Sequence, residues 1–372
     1  MDSRSALDDG NKWHSTHKIY GTRSELHTAR IEITSWLLRA ASEGRMESLP
    51  VPSVQAMVAA TGGAHVPPRY LRPEVAADAV ASDGEAAIPI IDFERLLLHH
   101  PEEEEACRGE SARLHAACQE WGFFQLINHG VPDDVIEGMK ANIEAFFGLP
   151  AETKQQFAQE RGQLEGYGQL FVVSEDQKLD WADILYLNTQ PPEHRNMRFW
   201  PDKPDTLRSA LDAYSAAVKT VADRLLGIMS ISLGLPPEVI ASKCGGGGGG
   251  IQSVQGLQVK RQDGSWVPVR PLEGAFVVNV GDILQIFTNG RYRSVEHRAV
   301  INAERARLSV AAFHSPSIHA TIGPLLTDQE PMYKTVDHQS FMRLFFSAKL
   351  EGKSFLQRMK LNLDTASTTT TN

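Results

Sequence analysis

Cysteine, positive charge and long apolar runs are all scarce in this sequence, and each scarcity excludes a class of protein. Three cysteines in 372 residues, Cys107, Cys118 and Cys244, are too few and too scattered for a disulfide framework or a cysteine-rich zinc site. A reducing compartment, the cytoplasm, is the expected location. Lys and Arg total 37 against 46 Asp and Glu, for a net charge of −9. Neutralising phosphates requires a basic face, so no nucleic-acid partner is expected. No apolar run approaches the roughly 18 residues of a bilayer span, and Met1-Asp2-Ser3-Arg4 opens no apolar signal core. No membrane partner is expected either. What is present is an ordinary globular composition, 42% hydrophobic and 22% charged. The length suits one large domain or two small ones. Glycine is common at 29, and six glycines form one run from Gly245 to Gly250.

Along the chain, residues around Ile31, Ile33, Trp36, Leu37 and Leu38 are compatible with a short amphipathic helix. Pro- and Ala-rich sequence follows to Glu85. Ile88 to Phe93 reads as a strand. Glu102 to Glu105 reads as a solvated loop or helix start. Residues 111–121 read as a helix and Gly122 to Ile127 as a strand. Asp133 is placed to cap a helix with Val135, Ile136, Met139, Ile143, Phe146 and Phe147 on one face, stopped by Leu149-Pro150. A longer helix runs from about Pro204 to Leu233. Its apolar stripe is Leu207, Leu211, Tyr214, Val218, Val221, Leu225 and Met229, and Gly234 and Pro236 end it.

After the glycine run the texture turns to strands. Asp263-Gly264 between two apolar segments signals a hairpin. Strands are expected over Ala275–Val280, Ile283–Phe287, Tyr292–Val300 and Arg307–Phe313, the pattern of an antiparallel sandwich or jelly roll. The tail from Phe341 to Leu361 reads as helix, and Thr365 to Asn372 as disordered.

His297 and, ten positions on, Arg307-Leu308-Ser309 are the candidate site. An isolated histidine on a strand is more often a satisfied polar residue than a ligand. Two neighbouring strands joined by a short loop, however, could aim His297 and Arg307 into one barrel. An imidazole can hold a divalent metal, and a guanidinium beside a hydroxyl can grip a carboxylate. Together they suit a metal-chelating dicarboxylate.

On a long ordered series of segments, the chain resembles the plant-type Fe(II)/2-oxoglutarate-dependent dioxygenases. It is most similar to the senescence-related, codeine-demethylase-like and norcoclaurine-synthase-like group. The series includes Ser48-Leu49-Pro50-Val51-Pro52, Val66-Pro67-Pro68-Arg69-Tyr70, Ile88-Pro89-Ile90-Ile91-Asp92, Trp121 to Val131, Glu165-Gly166-Tyr167-Gly168 and Asp180-Trp181-Ala182-Asp183. It continues with Gly256-Leu257-Gln258-Val259, Asn279-Val280-Gly281-Asp282, Asn289-Gly290-Arg291-Tyr292, His297 and Arg307-Leu308-Ser309. The resemblance implies an α+β protein, mainly β with helices. Its fold would be a double-stranded β-helix, or jelly roll, with a helical N-terminal region. It implies that His297 ligates Fe(II) and that Arg307 and Ser309 bind the far carboxylate of 2-oxoglutarate. Phe313 is a candidate wall of the substrate pocket, with plain core as the alternative. Cofactors by family are Fe(II), 2-oxoglutarate and O2, with ascorbate as reductant. The partner is a small-molecule substrate, oxidised by hydroxylation, desaturation or demethylation, and a monomer is expected. His129, in Asn128-His129-Gly130, follows a structural strand in the family and is not expected to bind metal.

One departure bears on all of this. The family carries an Asn-Tyr-Tyr-Pro-Pro-Cys-like strand and a His-x-Asp strand between the long helix and the Gly-Leu-Gln-Val strand. Here neither exists. Ile251-Gln252-Ser253-Val254 resembles the start of the first, and Gln255-Gly256-Leu257-Gln258 the segment well past the second. Roughly three strands are missing, about 30–40 residues, so the jelly roll is expected to be incomplete. No His-x-Asp occurs anywhere, and the only His-x-Glu is His100-Pro101-Glu102. His314, His319 and His338 have no carboxylate at that spacing. The implied layout is an N-terminal extension over 1–48 with one possible helix, and a dioxygenase N-terminal region over 49–243. A Gly-rich linker and junction then occupies 244–255, a jelly-roll remainder 256–361 and a disordered tail 362–372. Two readings stay open: a dioxygenase whose sequence has lost a segment through splicing or gene modelling, or a non-catalytic pseudoenzyme.

Overall fold

The computed structural model describes residues 28–35, 49, 51–61, 66–82, 87–98, 101–160, 163, 165–169, 172, 174–244, 251–252, 256–300, 307–317, 319–347 and 354–361. The glycine run, Trp36, Leu37, Leu38, His100 and the C-terminal tail lie outside the described residues.

The strands are β1 (Thr28–Ser35), β2 (Ile90–Asp92), β3 (Phe123–Ile127), β4 (Gly166–Gly168), β5 (Ala182–Gln190), β6 (Ile251–Gln252), β7 (Leu257–Lys260), β8 (Trp266–Pro268), β9 (Phe276–Asn279), β10 (His297–Ala299), β11 (Arg307–Phe313), β12 (Thr321–Ile322) and β13 (Val336–Asp337). They form a five-stranded sheet in the order β4-β5-β1-β11-β6. Beside it stand the three-stranded sheets β10-β7-β8 and β2-β3-β9 and the pair β12-β13. The principal helices are α1 (Val54–Thr61), α2 (Glu104–Ala116), α3 (Asp133–Phe147), α4 (Leu207–Ser232), α5 (Asp282–Phe287), α6 (His338–Ser347) and α7 (Ser354–Met359).

Helix α4 is set by its stripe. Leu207, Leu211, Tyr214, Val218, Val221, Leu225 and Met229 are all buried, and the helix packs on α3 and β5. Its end is a left-handed cap. Gly234 has φ +77, its N–H donates to Ile231 O, and Leu235 N–H donates back to Ser230 O. Helix α3 buries Ile136, Met139, Ile143, Phe146 and Phe147 as its spacing requires. Asp133 sits inside its first turn rather than at the cap, a position held by Pro132. There its charge still complements the helix dipole. The hairpin β7–β8 turns at Asp263-Gly264, with Gly264 at φ +86.

Three sequence expectations are corrected. The stretch around Ile31 and Ile33, expected as a helix, is strand β1 where it is described. Arg30, Glu32 and Thr34 alternate with Ile31 and Ile33, a period of two that a strand accommodates. The segment Ile283–Phe287, expected as a strand, lies in helix α5. Its Ile283, Ile286 and Phe287 share one helical face, and Thr288 N–H donates to Leu284 O. The strand expected over Tyr292–Val300 is confined to His297–Ala299.

Helix α1 is anchored to the sheet through a carboxylate. Asp183 on β5 is 1% exposed and accepts from Val54 N (2.8 Å), Gln55 N (2.8 Å) and Ser53 Oγ (3.0 Å). It therefore caps α1 from another element, satisfying amides that the helix cannot pair itself. Tyr70 packs edge-on against Trp181 at 5.0 Å in the small core that α1 completes. Asp183→Ala leaves the Val54 amide buried and unpaired and takes the acceptor from the half-buried Gln55 amide and Ser53 hydroxyl. A loss of about 3 kcal/mol is expected, read from the urea midpoint at constant m.

Glu165 is buried beside the same sheet and accepts from Asn188 N at 2.8 Å. Burial pushes its carboxyl up to about 7, against the lowering effect of that one hydrogen bond. The folded state then binds a proton more tightly than the unfolded chain. Stability should fall as pH rises between about 4.5 and 7, by about 3 kcal/mol in all. Glu165→Gln should flatten that slope in melts run across this range.

Candidate functional site

The site is built on β10 and β11. Strand β11 is buried on both faces over its first four residues: Arg307 at 5% exposure, Leu308, Ser309 at 8%, and Val310. Alternation divides them. Leu308 and Val310 join the main core with α4, and Arg307 and Ser309 share the opposite face. The Arg307 stem packs against Gly256, just ahead of β7. A Cβ on Gly256 would stand 3.0 Å from Arg307 Cδ, 3.0 Å from its Nε and 3.0 Å from Val300 O. Val300 N–H donates to Gly256 O at 2.7 Å, which ties the end of β10 to the start of β7.

His297 lies on β10, opposite Val259 of β7. Its residue is exposed, its Nδ1 is 3.3 Å from Val295 O, and its ring meets Phe123 edge-on at 5.1 Å. The neighbouring Arg298 stacks 3.9 Å over Trp266, donates to Gln258 Oε1 at 2.8 Å and pairs with Asp78. β10 and β11 belong to different sheets. Gly256 and Val300 lie between them, so Arg307 and Ser309 are brought together while His297 stands in the neighbouring sheet. Phe313, at the far end of β11, is 41% exposed.

His129 has a structural place. Its Nε2 is 2.7 Å from Gly274 O, its Nδ1 accepts from Val131 N, and its ring stacks on Phe276 at 4.0 Å. Burial lowers its basicity. It lines a cavity of about 190 Å³ with Phe93, Val131, Thr220, Val221 and Arg224, apart from His297, Arg307 and Ser309. His314, just past β11, has both ring nitrogens buried without a hydrogen-bond partner among the described residues. Burial, and then Lys219, hold it well below the usual imidazole range, so it is neutral. Burial likewise pushes the Cys244 thiol up to about 12, and it is no nucleophile. Among the described residues no group of three His, Cys, Asp or Glu is placed to hold a metal ion.

Residues 88–203 match the family of the non-haem dioxygenase in morphine synthesis N-terminal region, and residues 250–316 match the 2OG-Fe(II) oxygenase superfamily. S-norcoclaurine synthase 1 of Coptis japonica is 43% identical over 349 residues, covering 84% of this chain and 97% of that protein. The chain belongs to the 2OG-Fe(II) oxygenase superfamily. Oxoglutarate-dependent flavonoid 7-O-demethylase 1 of Ocimum basilicum is 41% identical over 366 residues, covering 87% of this chain and 94% of that one. The crystal structure of JOX2 in complex with 2OG, Fe and JA superposes with a TM-score of 0.71 at 29% identity, over 84% of this chain and 98% of JOX2. The fold is therefore that of these oxygenases, the jelly roll, with helices around it.

Gly256 is a residue whose part the sequence does not disclose. Its missing side chain is the space that Arg307 occupies. Asp183 likewise stood inside a recognised motif without an assigned role. No spacing rule marks either, because their partners lie 51 and 129 positions away. Gly256→Val fills the Arg307 position with a branched side chain. A cost of about 2 kcal/mol is expected from overpacking, checked by denaturant unfolding.

Proposed function

We propose that this chain keeps the co-substrate half of a 2-oxoglutarate oxygenase site and lacks the metal half, so that it does not turn over 2-oxoglutarate on its own. The observation that carries this reading is the ligand count. A non-haem Fe(II) oxygenase needs two histidines and one carboxylate on one face of the metal. The sequence has no His-x-Asp, and His297 stands without a second histidine and carboxylate grouped with it among the described residues. The residues present do not fit an iron site, and no step through iron is assigned. Arg307 and Ser309, buried side by side on one face of β11, do fit a carboxylate: a guanidinium and a hydroxyl can share its two oxygens.

Loss of a segment between Val254 and Gln255 is the proposed origin. The alignment with the Coptis japonica protein has 349 positions. It takes in only 84% of 372 residues here, about 312, so about 37 positions face no residue of this chain. That length supports the absence of about three strands. With the segment present, the reading is a cytoplasmic, monomeric oxygenase using Fe(II), 2-oxoglutarate and O2 with ascorbate as reductant. It would hydroxylate, desaturate or demethylate a small specialised metabolite. The names of relatives such as thebaine 6-O-demethylase of Papaver somniferum support that substrate class.

The test is succinate formation from 2-oxoglutarate with Fe(II) and ascorbate. The 372-residue chain should stay at background, and the chain carrying the Coptis japonica segment between Val254 and Gln255 should rise above it. Calorimetry without metal should show weak 2-oxoglutarate binding that Arg307→Met weakens at least tenfold. Iron-dependent turnover by the unmodified chain would overturn the proposal.

A further inference from the structure

Strand β1 lies outside both matched family regions, which begin at residues 88 and 250. It nevertheless occupies the middle of the largest sheet, parallel to β11 on one side and to β5 on the other. Its register is continuous, from Thr28 opposite Arg307 to Thr34 opposite Phe313, and from Thr28 opposite Ala182 to Thr34 opposite Asn188. Among the described residues, the other edge of β11 has only β6, paired at Ser309↔Gln252 and Val310↔Ile251. β6 is the last residue pair described before the junction where about three strands are missing.

We infer that Thr28–Ser35 is a surrogate strand. The N-terminal extension fills, in cis, a place in the jelly-roll sheet vacated by the missing segment. This rests on the reading that the segment is lost. The sequence pattern of β1 suits the slot on both sides. Ala29, Ile31 and Ile33 stand at the register positions of Leu308, Val310 and Ala312. Across the other edge, Ile31 and Ile33 stand opposite Leu185 and Leu187, each 0% exposed. Thr28, Arg30 and Glu32 fall in the other row, with Arg307, Ser309 and Ala311. A slip of one residue would exchange the two rows, so the alternation specifies the register. The strand contains no Gly or Pro, and Thr28, Ile31, Ile33 and Thr34 are β-branched, as a central strand favours. A strand inserted here also supplies donors and acceptors to two buried neighbours that would otherwise present open edges. Parallel pairing needs a long crossover, and the 146 residues between Ser35 and Ala182 provide one.

Hydrogen exchange on the full 372-residue chain tests this directly. Amides of Ile31 to Thr34 should exchange at least 100-fold more slowly than an unstructured peptide of the same sequence, with the protein monomeric by sedimentation. Inserting the Coptis japonica segment between Val254 and Gln255 should release residues 28–35 to unstructured rates, because two strands compete for one place. If the insertion variant does not fold, Ile31→Pro in the unmodified chain decides. It should lower protection of Leu308 to Ala312 at least tenfold, whereas Leu7→Pro should leave it unchanged. Unprotected Ile31–Thr34 in the unmodified chain would overturn the inference. So would protection that survives a folded insertion, protection found only in a dimer, or an Ile31→Pro variant with β11 unaffected. Exchange is read without turnover, so failure here is distinct from failure of the inactivity proposal.

Discussion

A buried strand must have its backbone paired along both edges, and β11, buried over its first four residues, is such a strand. It carries Arg307 and Ser309 on one face and Leu308 and Val310 on the other, and all four are buried. Unpaired amides in such a place cost about as much as several lost hydrogen bonds. β6 meets the requirement on one edge over two residues, and β1 meets it on the other over seven. The order of the large sheet, the row of core side chains on one face of β11 and the placement of Arg307 and Ser309 on the other all follow from that arrangement.

Buried charge is managed in three different ways around this sheet. Asp183 is surrounded by two amides and a hydroxyl and anchors α1 from a distance. Glu165 has one amide and responds by holding its proton to about pH 7. His314 has no hydrogen-bond partner for either nitrogen among the described residues, and burial keeps it neutral. On Glu165 desolvation and hydrogen bonding act in opposite directions, and desolvation prevails. Arg307 is accommodated by shape, since Gly256 leaves room for its stem.

Much of the helical part was legible in the residues. The stripe from Leu207 to Met229 and the face from Ile136 to Phe147 are long periodic signals, and both are buried as spaced. The hairpin at Asp263-Gly264 was legible because its turn needs a positive φ that Gly264 supplies. Short apolar runs were not. Ile283 to Phe287 fits a strand or one turn of helix equally well, and its packing decided for helix. Ile31 and Ile33 fit a helical pattern together with Trp36, Leu37 and Leu38, whereas the alternation over Thr28–Ser35 alone carries a strand.

The sequence by itself determined the family, the retention of His297, Arg307 and Ser309, and the absence of a His-x-Asp pair, because these depend on residue identity and order. It also determined the long helices, whose local period suffices. The tertiary structure decided which side chains meet. It set His297 and the Arg307–Ser309 pair in neighbouring sheets, put Asp183 at the start of a helix 129 positions away, and drew residues 28–35 into the centre of the sheet. Those outcomes depend on pairing between distant segments, where hydrogen bonds and burial are shared, and no local pattern records the partner.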